Sequence, residues 1–420
     1  MRIKPDQNQQ KPVPIKSGPK GIVVLAFSGG LDTSFCVIYL KEQGYQVVTV
    51  TVDTGGFSDQ ESSQIAKNAR LLGAIGHYFA DGKQQLYDQF ISYIIKGNIL
   101  RGGVYPLCAG TERFVIASKL VEIAKKVGAK YIAHGSTGAG NDQIRFDIAL
   151  KILAPELTAL TPIRDLGVKR EEEIELLKKY NFPIPSSSNT YSINQGMLGV
   201  TIGGKETKGS WEIPPEDVYP GMTPLEKTPD LPTTLIISFY KGLPVAIDSK
   251  KMTGIDIFNH LAKIGGKHGV GKNIHLGDTI LGIKGRIVFA APAALILIKA
   301  HKELEKLVQT KWQSFWKEIL SDFYGNLLHE GLYFDPVMQD ITAMINSSQE
   351  NVTGDVRIKL FKGNIIIEGC KSPYSLMDTE TAVYGEENLM WDARDLTGFS
   401  KIYSLQSTIA ASVKRKNKNL

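Results

Sequence analysis

Apolar positions in the first part of the chain alternate between continuous runs and helical spacing. Residues 22–27 form an unbroken apolar run, and residues 33–43 carry apolar side chains at the spacing of one helix face. A second run, VVTVTV, ends at Asp53 in front of Thr54 and a Gly-Gly pair. A strand, a helix and a strand in this order, within roughly 30 residues, predict a parallel βαβ unit with a right-handed crossover.

The same alternation continues to residue 180. Its spacing predicts helices over residues 62–72, 84–95 and 112–127, and short strands over residues 77–80 and 130–134. The predicted fold class is therefore α/β, with an open, doubly wound parallel sheet. Ligands of such sheets bind beyond the carboxyl ends of the strands, so the Gly-rich loops after Phe27 and His134 predict one shared crevice.

The pattern changes after residue 180. Segments rich in Pro, Ser and Thr precede two hairpin patterns that turn at Lys-Gly, over residues 235–248 and 356–369. Helical spacing recurs over residues 254–264, 294–308 and 311–328, which predicts an α+β second domain. The expected organisation is a flexible basic leader (1–20), a nucleotide-binding domain (21–180), a synthetase domain for acceptor binding and oligomerisation (181–396), and a C-terminal helical arm with a basic tail (397–420).

Composition narrows the class of protein. The 420 residues are 42% hydrophobic and 22% charged, which is typical of a folded globular protein and excludes a wholly disordered or fibrous chain. The net charge of +6 is concentrated in residues 1–20 and 414–418, while the remainder is nearly neutral. A nucleic-acid-binding domain gathers basic charge on a folded face, so no nucleic-acid partner is predicted.

Cysteine use and hydropathy indicate the compartment. Cys36, Cys108 and Cys370 are too few and too scattered for a disulfide framework or a cysteine zinc site, which favours a reducing environment. No apolar run approaches the roughly 18 residues that a membrane-spanning helix needs. We therefore expect a cytoplasmic protein without a membrane partner.

The strongest motif is SGGLDTS, from Ser28 to Ser34, between the first predicted strand and the first predicted helix. Two glycines allow backbone N–H groups to turn toward an anion, and three hydroxyl groups add donors at the positive end of a helix. The motif is neither a Walker A loop nor a dinucleotide fingerprint. A tight turn in which Asp32 and Thr33 only cap the helix is the structural alternative.

This motif resembles the pyrophosphatase-type loop of the argininosuccinate synthase family. The resemblance extends through VEIAKKVGAKYIAHGSTGAGNDQIRF (121–146), GKHGVG (266–271) and SPYSL (372–376). It implies an ATP-dependent ligase that joins citrulline to aspartate through a citrullyl-adenylate, releasing pyrophosphate and then AMP. It also implies Mg²⁺ with the nucleotide, no protein nucleophile, and a homotetramer with a C-terminal helix that reaches across subunits.

The resemblance also implies site residues. Asp32, Asn141, Asp142 and Arg145 are expected to position the substrates, and no residues are identified as metal ligands. Those implied for ATP are Ala26, Phe27, Ser28, Gly29, Gly30, Leu31, Asp32, Thr33, Ser34, Val52 and Gly135. Those implied for aspartate are Thr137, Asn141 and Asp142, and those implied for citrulline are Tyr105, Asn141, Arg145, Ser192 and Thr201.

Departures from the family cluster at the citrulline positions. Gly110, Gly277 and Phe289 stand where a serine, a glutamate and a tyrosine are expected, although a one-residue shift would bring Asp278 to the glutamate position. Ala139 replaces a lysine, and Val52 begins a changed segment after the second strand. Three hypotheses stay open: an argininosuccinate synthase, a related ligase that joins aspartate to another ureido, amide or carboxylate acceptor, or a catalytically weak nucleotide-binding regulator.

Overall fold

A computed structural model describes residues 20–138, 140–183, 191–377, 384–385 and 390–418. The predicted basic leader, except for Lys20, and the substitution at Ala139 therefore lie outside the described residues. Contacts divide the chain into two units, residues 1–372 and 373–420. No helix in the described ranges has both the length and the apolar character needed to cross a membrane.

The first part of the chain forms a five-stranded parallel sheet in the order β3-β2-β1-β4-β5. Its strands are β1 (Ile22–Ala26), β2 (Gln46–Asp53), β3 (Gly76–Asp81), β4 (Tyr131–Ala133) and β5 (Thr158–Leu160). The connecting helices are α1 (Leu31–Glu42), α2 (Asp59–Leu71), α3 (Lys83–Leu86), α4 (Ser92–Gly97), α5 (Glu112–Val127), α6 (Asp142–Leu153), α7 (Pro162–Leu166) and α8 (Arg170–Lys179). The strand order confirms the doubly wound α/β prediction.

Two antiparallel sheets follow. One, in the order β10-β9-β8-β13-β14, contains both predicted Lys-Gly hairpins, and the other has the order β11-β12-β7-β6. The strands are β6 (Ser192–Gly196), β7 (Gly199–Gly203), β8 (Thr233–Tyr240), β9 (Leu243–Ile247), β10 (Lys250–Lys251), β11 (Lys272–Asp278), β12 (Lys284–Ala290), β13 (Gly354–Phe361) and β14 (Asn364–Lys371). The helices are α9 (Gly254–Lys267), α10 (Pro292–Val308), α11 (Lys311–Glu330) and α12 (Val337–Ser348).

One buried cluster contains side chains from the parallel sheet and from the later elements. Val24 of β1 and Ile237 of β8 belong to it, together with Leu297 of α10. The apolar core of the first unit therefore continues across residue 180, where the sequence pattern changes.

One predicted helix needs correction, and two local features were not predicted. The helix predicted over residues 84–95 contains a π-helical turn, Tyr87–Ile91, between α3 and α4. Asp142 and Arg145, which were given no element in the sequence analysis, lie in the first turn of α6, which begins directly after Asn141. The hairpins β6–β7 and β11–β12 were not predicted, because β6 is largely exposed and Gly277 interrupts the pattern of β11.

The second unit contains α13 (Ala393–Tyr403) and α14 (Leu405–Lys416). Both helices expose large apolar side chains, including Phe399, Ile402 and Ile409. The helical C-terminal arm was therefore predicted correctly as a secondary-structure element.

Candidate active site

The turn between β1 and α1, residues 27–34, is called the ATP loop below. Gly29 has φ +78°, a left-handed conformation that glycine adopts without strain, and Gly30 is the N-cap of α1. Because Gly30 has no side chain, the N–H groups of the first helical turn remain open to a ligand. The Ser28 hydroxyl is exposed and lies 3.3 Å from the Thr33 hydroxyl. Glycines and hydroxyls thus surround the uncapped N-terminus of α1.

Two buried hydroxyl groups, those of Thr51 and Ser34, lie at this loop. Thr51 of β2 donates from Oγ1 to the Phe27 carbonyl oxygen at 2.5 Å, and Val52 next to it is buried. Within the described residues, the buried Ser34 hydroxyl oxygen has no hydrogen-bond partner. This unpaired hydroxyl lies in the first turn of α1, where most buried polar groups have a partner.

A second acid lies against the ATP loop. Glu173 of α8 is buried, and its carboxyl group lies close to that of Asp32. Burial and the Asp32 charge raise the pKa of Glu173 to about 8. The sequence does not indicate this role, because Glu173 belongs to a run of acidic residues that is typical of a solvated helix face.

The loop after β4 meets the ATP loop. β1 and β4 are adjacent parallel strands, paired at Leu25 and Ala133, and the order of the sheet reverses between them. A side chain at Gly135 would place its Cβ 3.3 Å from the carbonyl carbon of Asp32. The two predicted loops therefore share the crevice at the topological switch point, as the sequence predicted. Thr137, farther along this loop, is exposed.

The first turn of α6 carries a carboxylate held by two arginines. Asp142 lies 2.9 Å from an Nη atom of Arg113 and 2.9 Å from one of Arg145. Burial alone would raise the pKa of Asp142, but the two guanidinium groups outweigh it and the pKa lies below its ordinary value. Asn141 accepts a hydrogen bond through Oδ1 from the Ile280 N–H at 2.9 Å.

Arg145 is bound mainly by the protein itself. Its Nε and Nη2 atoms donate to the His329 carbonyl oxygen at 3.0 and 2.8 Å. Burial and the neighbouring guanidinium groups of Arg145 and Arg101 lower the pKa of His329 to about 3, so its neutral ring accepts from Arg145 at 3.2 Å. The Cβ of a residue other than glycine at position 110 would lie 3.2 Å from the Arg145 guanidinium carbon. The absence of a side chain at Gly110 therefore leaves room for this arginine.

The group of residues around Tyr105 is called the acceptor wall below. Tyr105 is buried, stacks on His275 of β11 with ring centroids 5.8 Å apart, and packs against Phe289 of β12 at 5.1 Å. Phe289 pairs with Thr201 of β7 in the sheet register. The wall consists of Tyr105, Thr201, His275, Gly277 and Phe289.

The hairpin β6–β7 brings two predicted citrulline residues to the same sheet face. Thr201 is register-paired with Asn194, so Ser192, two residues earlier, lies on the Thr201 side. Asn194 accepts from Arg113 at 3.3 Å, which connects this hairpin to Asp142. The structure thus brings Tyr105, Ser192 and Thr201 into one region, although they lie far apart in sequence.

Glu112 is a buried acid that sequence reasoning missed. Its side chain hydrogen-bonds Thr54 and lies 4.0 Å from Arg113. Burial raises its pKa to about 8, although Arg113 and the Thr54 hydrogen bond act in the opposite direction. Gly196 of β6 contacts this carboxyl group so closely that a Cβ would overlap it. Glu112 therefore joins the end of β2, α5 and the β6 hairpin behind the site.

A doubly wound sheet with an uncapped Gly-Gly helix start and a second polar loop at its switch point defines a nucleotide-binding protein of the α/β class. Two family models match: the arginosuccinate synthase N-terminal HUP domain over residues 22–183 and the arginosuccinate synthase C-terminal domain over residues 191–410. The chain belongs to the argininosuccinate synthase family.

Curated relatives agree with this assignment over nearly the whole chain. An argininosuccinate synthase of Bacillus pumilus is 40% identical over 395 residues, 94% of this chain and 97% of the relative. One of Methanocaldococcus jannaschii is 41% identical, over 92% of this chain and 97% of the relative. One of Lactiplantibacillus plantarum is 39% identical, over 94% of this chain and 95% of the relative.

Proposed function

We propose that this chain is an argininosuccinate synthase, an ATP-dependent ligase that joins citrulline to aspartate and releases AMP and pyrophosphate. The observation that carries the proposal is the contact between Gly135 and Asp32, which puts the ATP loop and the loop preceding the predicted aspartate residues in one crevice. The relatives named argininosuccinate synthase support it over more than nine tenths of the chain. They favour it over a ligase for another acceptor and over a regulator.

The proposed chemistry needs positioning and charge stabilisation rather than a protein nucleophile. The ureido oxygen of citrulline attacks the α-phosphorus of ATP, the bond to pyrophosphate breaks, and a citrullyl-adenylate forms. The aspartate amine then attacks the ureido carbon, and AMP leaves with the ureido oxygen. The ATP loop fits the phosphates through its backbone N–H groups, while Thr137, Asn141 and Asp142 stay predicted for aspartate.

Mg²⁺ belongs to this proposal as the ion that enters with ATP. No group of three or more His, Cys, Asp or Glu side chains in the described ranges is arranged to hold a metal. Mg²⁺ retains several waters and is commonly bound through substrate phosphates, so a dedicated protein site is not required. When bound, the ion would neutralise charge on the leaving pyrophosphate.

The decisive assay measures product formation and also traces the ureido oxygen of citrulline. Purified protein is incubated with ATP, Mg²⁺, aspartate and citrulline that carries a heavy-oxygen label in its ureido group. We expect pyrophosphate, AMP and argininosuccinate in equal amounts, with the label in AMP. Product formation without label in AMP would contradict the adenylate route, and pyrophosphate release with another acceptor but not with citrulline would overturn the proposed function.

We also propose a homotetramer in the cytoplasm. The solvent-facing side of α11 presents apolar side chains at helical spacing, and such contiguous patches commonly mark protein interfaces. Free Cys36, Cys108 and Cys370 are compatible with a reducing compartment. Light scattering should give four times the chain mass, and Trp316→Glu in the α11 patch should lower it. A monomer at micromolar concentration would contradict the assembly. The exposed α11 side chains are Trp312, Phe315, Trp316, Ile319 and Phe323.

A further inference from the structure

The carboxyl group of Glu112 lies at a junction of three segments and takes no part in the chemistry proposed above. Glu112 is 4% exposed, and its Oε1 atom has no hydrogen-bond partner among the described residues. The Thr54 side chain lies on one side of this carboxyl group, and Gly196 of β6 lies so close on another side that a Cβ would overlap Oε1. A carboxyl group enclosed in this way acts on its neighbours through its charge and its packing rather than through contact with a substrate.

The same junction connects the β6–β7 hairpin to the parallel sheet. The Met197 N–H donates to the Thr54 carbonyl oxygen at 2.7 Å. Gly56, in the turn after β2, lies so close to the hairpin that a Cβ would overlap the Gln195 carbonyl oxygen. Glu112 therefore lies beside the contact through which this hairpin packs on the end of β2.

Arg113, the next residue of α5, faces two acids. Its Nε and Nη2 atoms each lie 2.9 Å from Asp142 Oδ2, while its Nη1 atom lies 4.0 Å from Glu112 Oε2. Nη2 also donates to Asn194 Oδ1 of β6 at 3.3 Å. A negative charge on Glu112 would therefore compete with Asp142 for one guanidinium group.

The surroundings of Glu112 prevent this competition at neutral pH. Burial and the Asp142 charge favour the protonated form of Glu112, and its pKa is raised to about 8. Arg113 and Thr54 act in the opposite direction but do not outweigh burial. The neighbouring Cys108 thiol stays protonated, because burial and the Glu112 charge raise its pKa. Neither β6 nor the turn at residues 54–56 carries a charged side chain, so Arg113 and Asp142 are the charged groups that face Glu112.

We propose that Glu112 is a positioning residue for the predicted aspartate site. In its neutral form it leaves Arg113 paired with Asp142, whereas loss of its proton draws Arg113 away and puts a negative charge behind a site for an anionic substrate. The inference rests on the proposed function, because Asp142 is the residue predicted to receive the aspartate ammonium. Aspartate binding thereby depends on the protonation of an acid that no substrate touches.

The first measurement follows the KM for aspartate at saturating ATP and citrulline. We expect the wild-type value to rise about three- to thirtyfold as pH rises through about 8. Glu112→Gln has nearly the same shape but stays neutral, so its aspartate KM should stay within about threefold of the neutral-pH value of the wild type. Titration of the substrates, and any pH dependence of the KM for ATP, should be the same in both proteins. An equal rise in a folded Glu112→Gln protein would overturn the inference.

The matched control is Glu122→Gln on the same helix. Glu122 is exposed and pairs with Lys119 at 3.0 Å, so this variant should retain the wild-type pH profile for aspartate. Glu112→Asp keeps a titrating acid and should keep part of the rise, which a role in packing alone would not produce. Loss of the profile in Glu122→Gln as well would assign it to the charge of α5 in general and contradict the role of Glu112.

A second pair of variants tests the contact with the hairpin. Gly196→Ala puts a methyl group where the Glu112 carboxyl group lies, whereas a Cβ at Gly203 of β7 would have its nearest contact at 3.9 Å. We expect Gly196→Ala to raise the aspartate KM at neutral pH about three- to tenfold and Gly203→Ala to change it less than about twofold. In a Glu112→Ala background the Gly196→Ala change should have little further effect. Additive effects of the two changes would contradict the contact between them.

Failure of the proposed function would be recognised separately. If the wild-type chain converts no acceptor, the proposed function fails, and calorimetric binding of aspartate with a non-hydrolysable ATP analogue, below and above about pH 8, then decides the inference. Weaker binding at the higher pH by the wild-type chain but not by Glu112→Gln would support Glu112. The same pH dependence in both proteins, or binding by neither, would overturn the assignment.

Discussion

The ATP loop and the acceptor wall present different kinds of groups to the crevice. The ATP loop presents backbone N–H groups and small hydroxyl residues at the start of α1. The acceptor wall presents packed rings, with Tyr105 between His275 and Phe289. Backbone recognition of a phosphate depends little on side chains, whereas the wall depends on which ring or acid fills each space. A change such as Gly277 can therefore alter the wall without altering the ATP loop.

The largest loss of activity should come from a side chain that forces the ATP loop and the loop after β4 apart. Gly135→Val places its Cβ 3.3 Å from the backbone of Asp32, which has little room to move. A displacement of about 1 Å at a reacting centre can cost a hundredfold, so we expect pyrophosphate release to fall by at least that factor and the KM for ATP to rise. Steady-state kinetics with varied ATP checks this.

The matched control is Gly76→Val at the opposite end of the same sheet. The space around the Cβ of residue 76 is open within 4 Å, and the position lies in β3, where valine is favourable. Its kinetics should stay within about twofold of wild type. Equal losses in both variants would mean that valine perturbs the sheet as a whole, and the contact between the loops would then carry no special weight.

The second-largest effect tests whether Arg145 mainly stabilises the fold or is free to bind substrate. Its side chain is 7% exposed and contacts Asp142, so Arg145→Met should lower the free energy of unfolding by roughly 3 kcal/mol in urea titrations, in line with breaking a buried pair. Arg164→Met removes a half-exposed pair with Asp147 and should cost less than about 1 kcal/mol. Unchanged stability with a raised citrulline KM would identify Arg145 as a free ligand instead.

The two regions also differ in how far the sequence predicted them. The strand, the Gly-Gly turn and the helix around the ATP loop were predicted, because they are contiguous and each has a local signal. Tyr105, Thr201 and Phe289 come from three separate segments, and the β6–β7 and β11–β12 hairpins that align two of them were not predicted. Nothing in the sequence alone could place His275 in the space beside Gly277, since that depends on the register of β11 and on stacking with Tyr105.

The sequence analysis also missed two buried acids, and there is a physical reason for this. A glutamate is usually exposed, so neither Glu112 nor Glu173 attracted attention in the sequence. Each is buried only because α5 or α8 packs it against another polar group, Thr54 in one case and Asp32 in the other. Tertiary packing rather than local pattern therefore gives both carboxyl groups a pKa of about 8.

A smaller effect is expected from the acid behind the ATP loop. Since the pKa of Glu173 is raised to about 8, the folded protein keeps a proton that the unfolded chain loses near pH 4.3. Its contribution to stability is therefore fullest at low pH and declines as pH rises toward 8. Ionisation of Glu173 adds a negative charge beside the ATP loop, so we expect the KM for ATP to rise as pH rises through about 8.

Glu173→Gln removes this titration while keeping a hydrogen-bond donor to Asp32. Its ATP KM and melting temperature should change less than those of wild type between about pH 6 and pH 9. Glu175→Gln, an exposed neighbour on the same helix, should retain the wild-type pH profile. Parallel profiles for wild type and Glu173→Gln would show that the acid does not influence the ATP loop. The acceptor KM should follow Glu173 much less than the ATP KM does.

The smallest effect tests whether the acceptor wall uses a hydroxyl group at Thr201. Its register pairing with Phe289 puts this residue on the wall, and Thr201→Val removes the hydroxyl group with little change in shape. Loss of an ordinary hydrogen bond costs about 0.5–1.5 kcal/mol, so the citrulline KM should rise about two- to tenfold while the ATP KM stays constant. Thr201→Ser keeps the hydroxyl and should stay within about twofold of wild type. If valine and serine behaved alike, packing against Phe289 would be the only role of the residue.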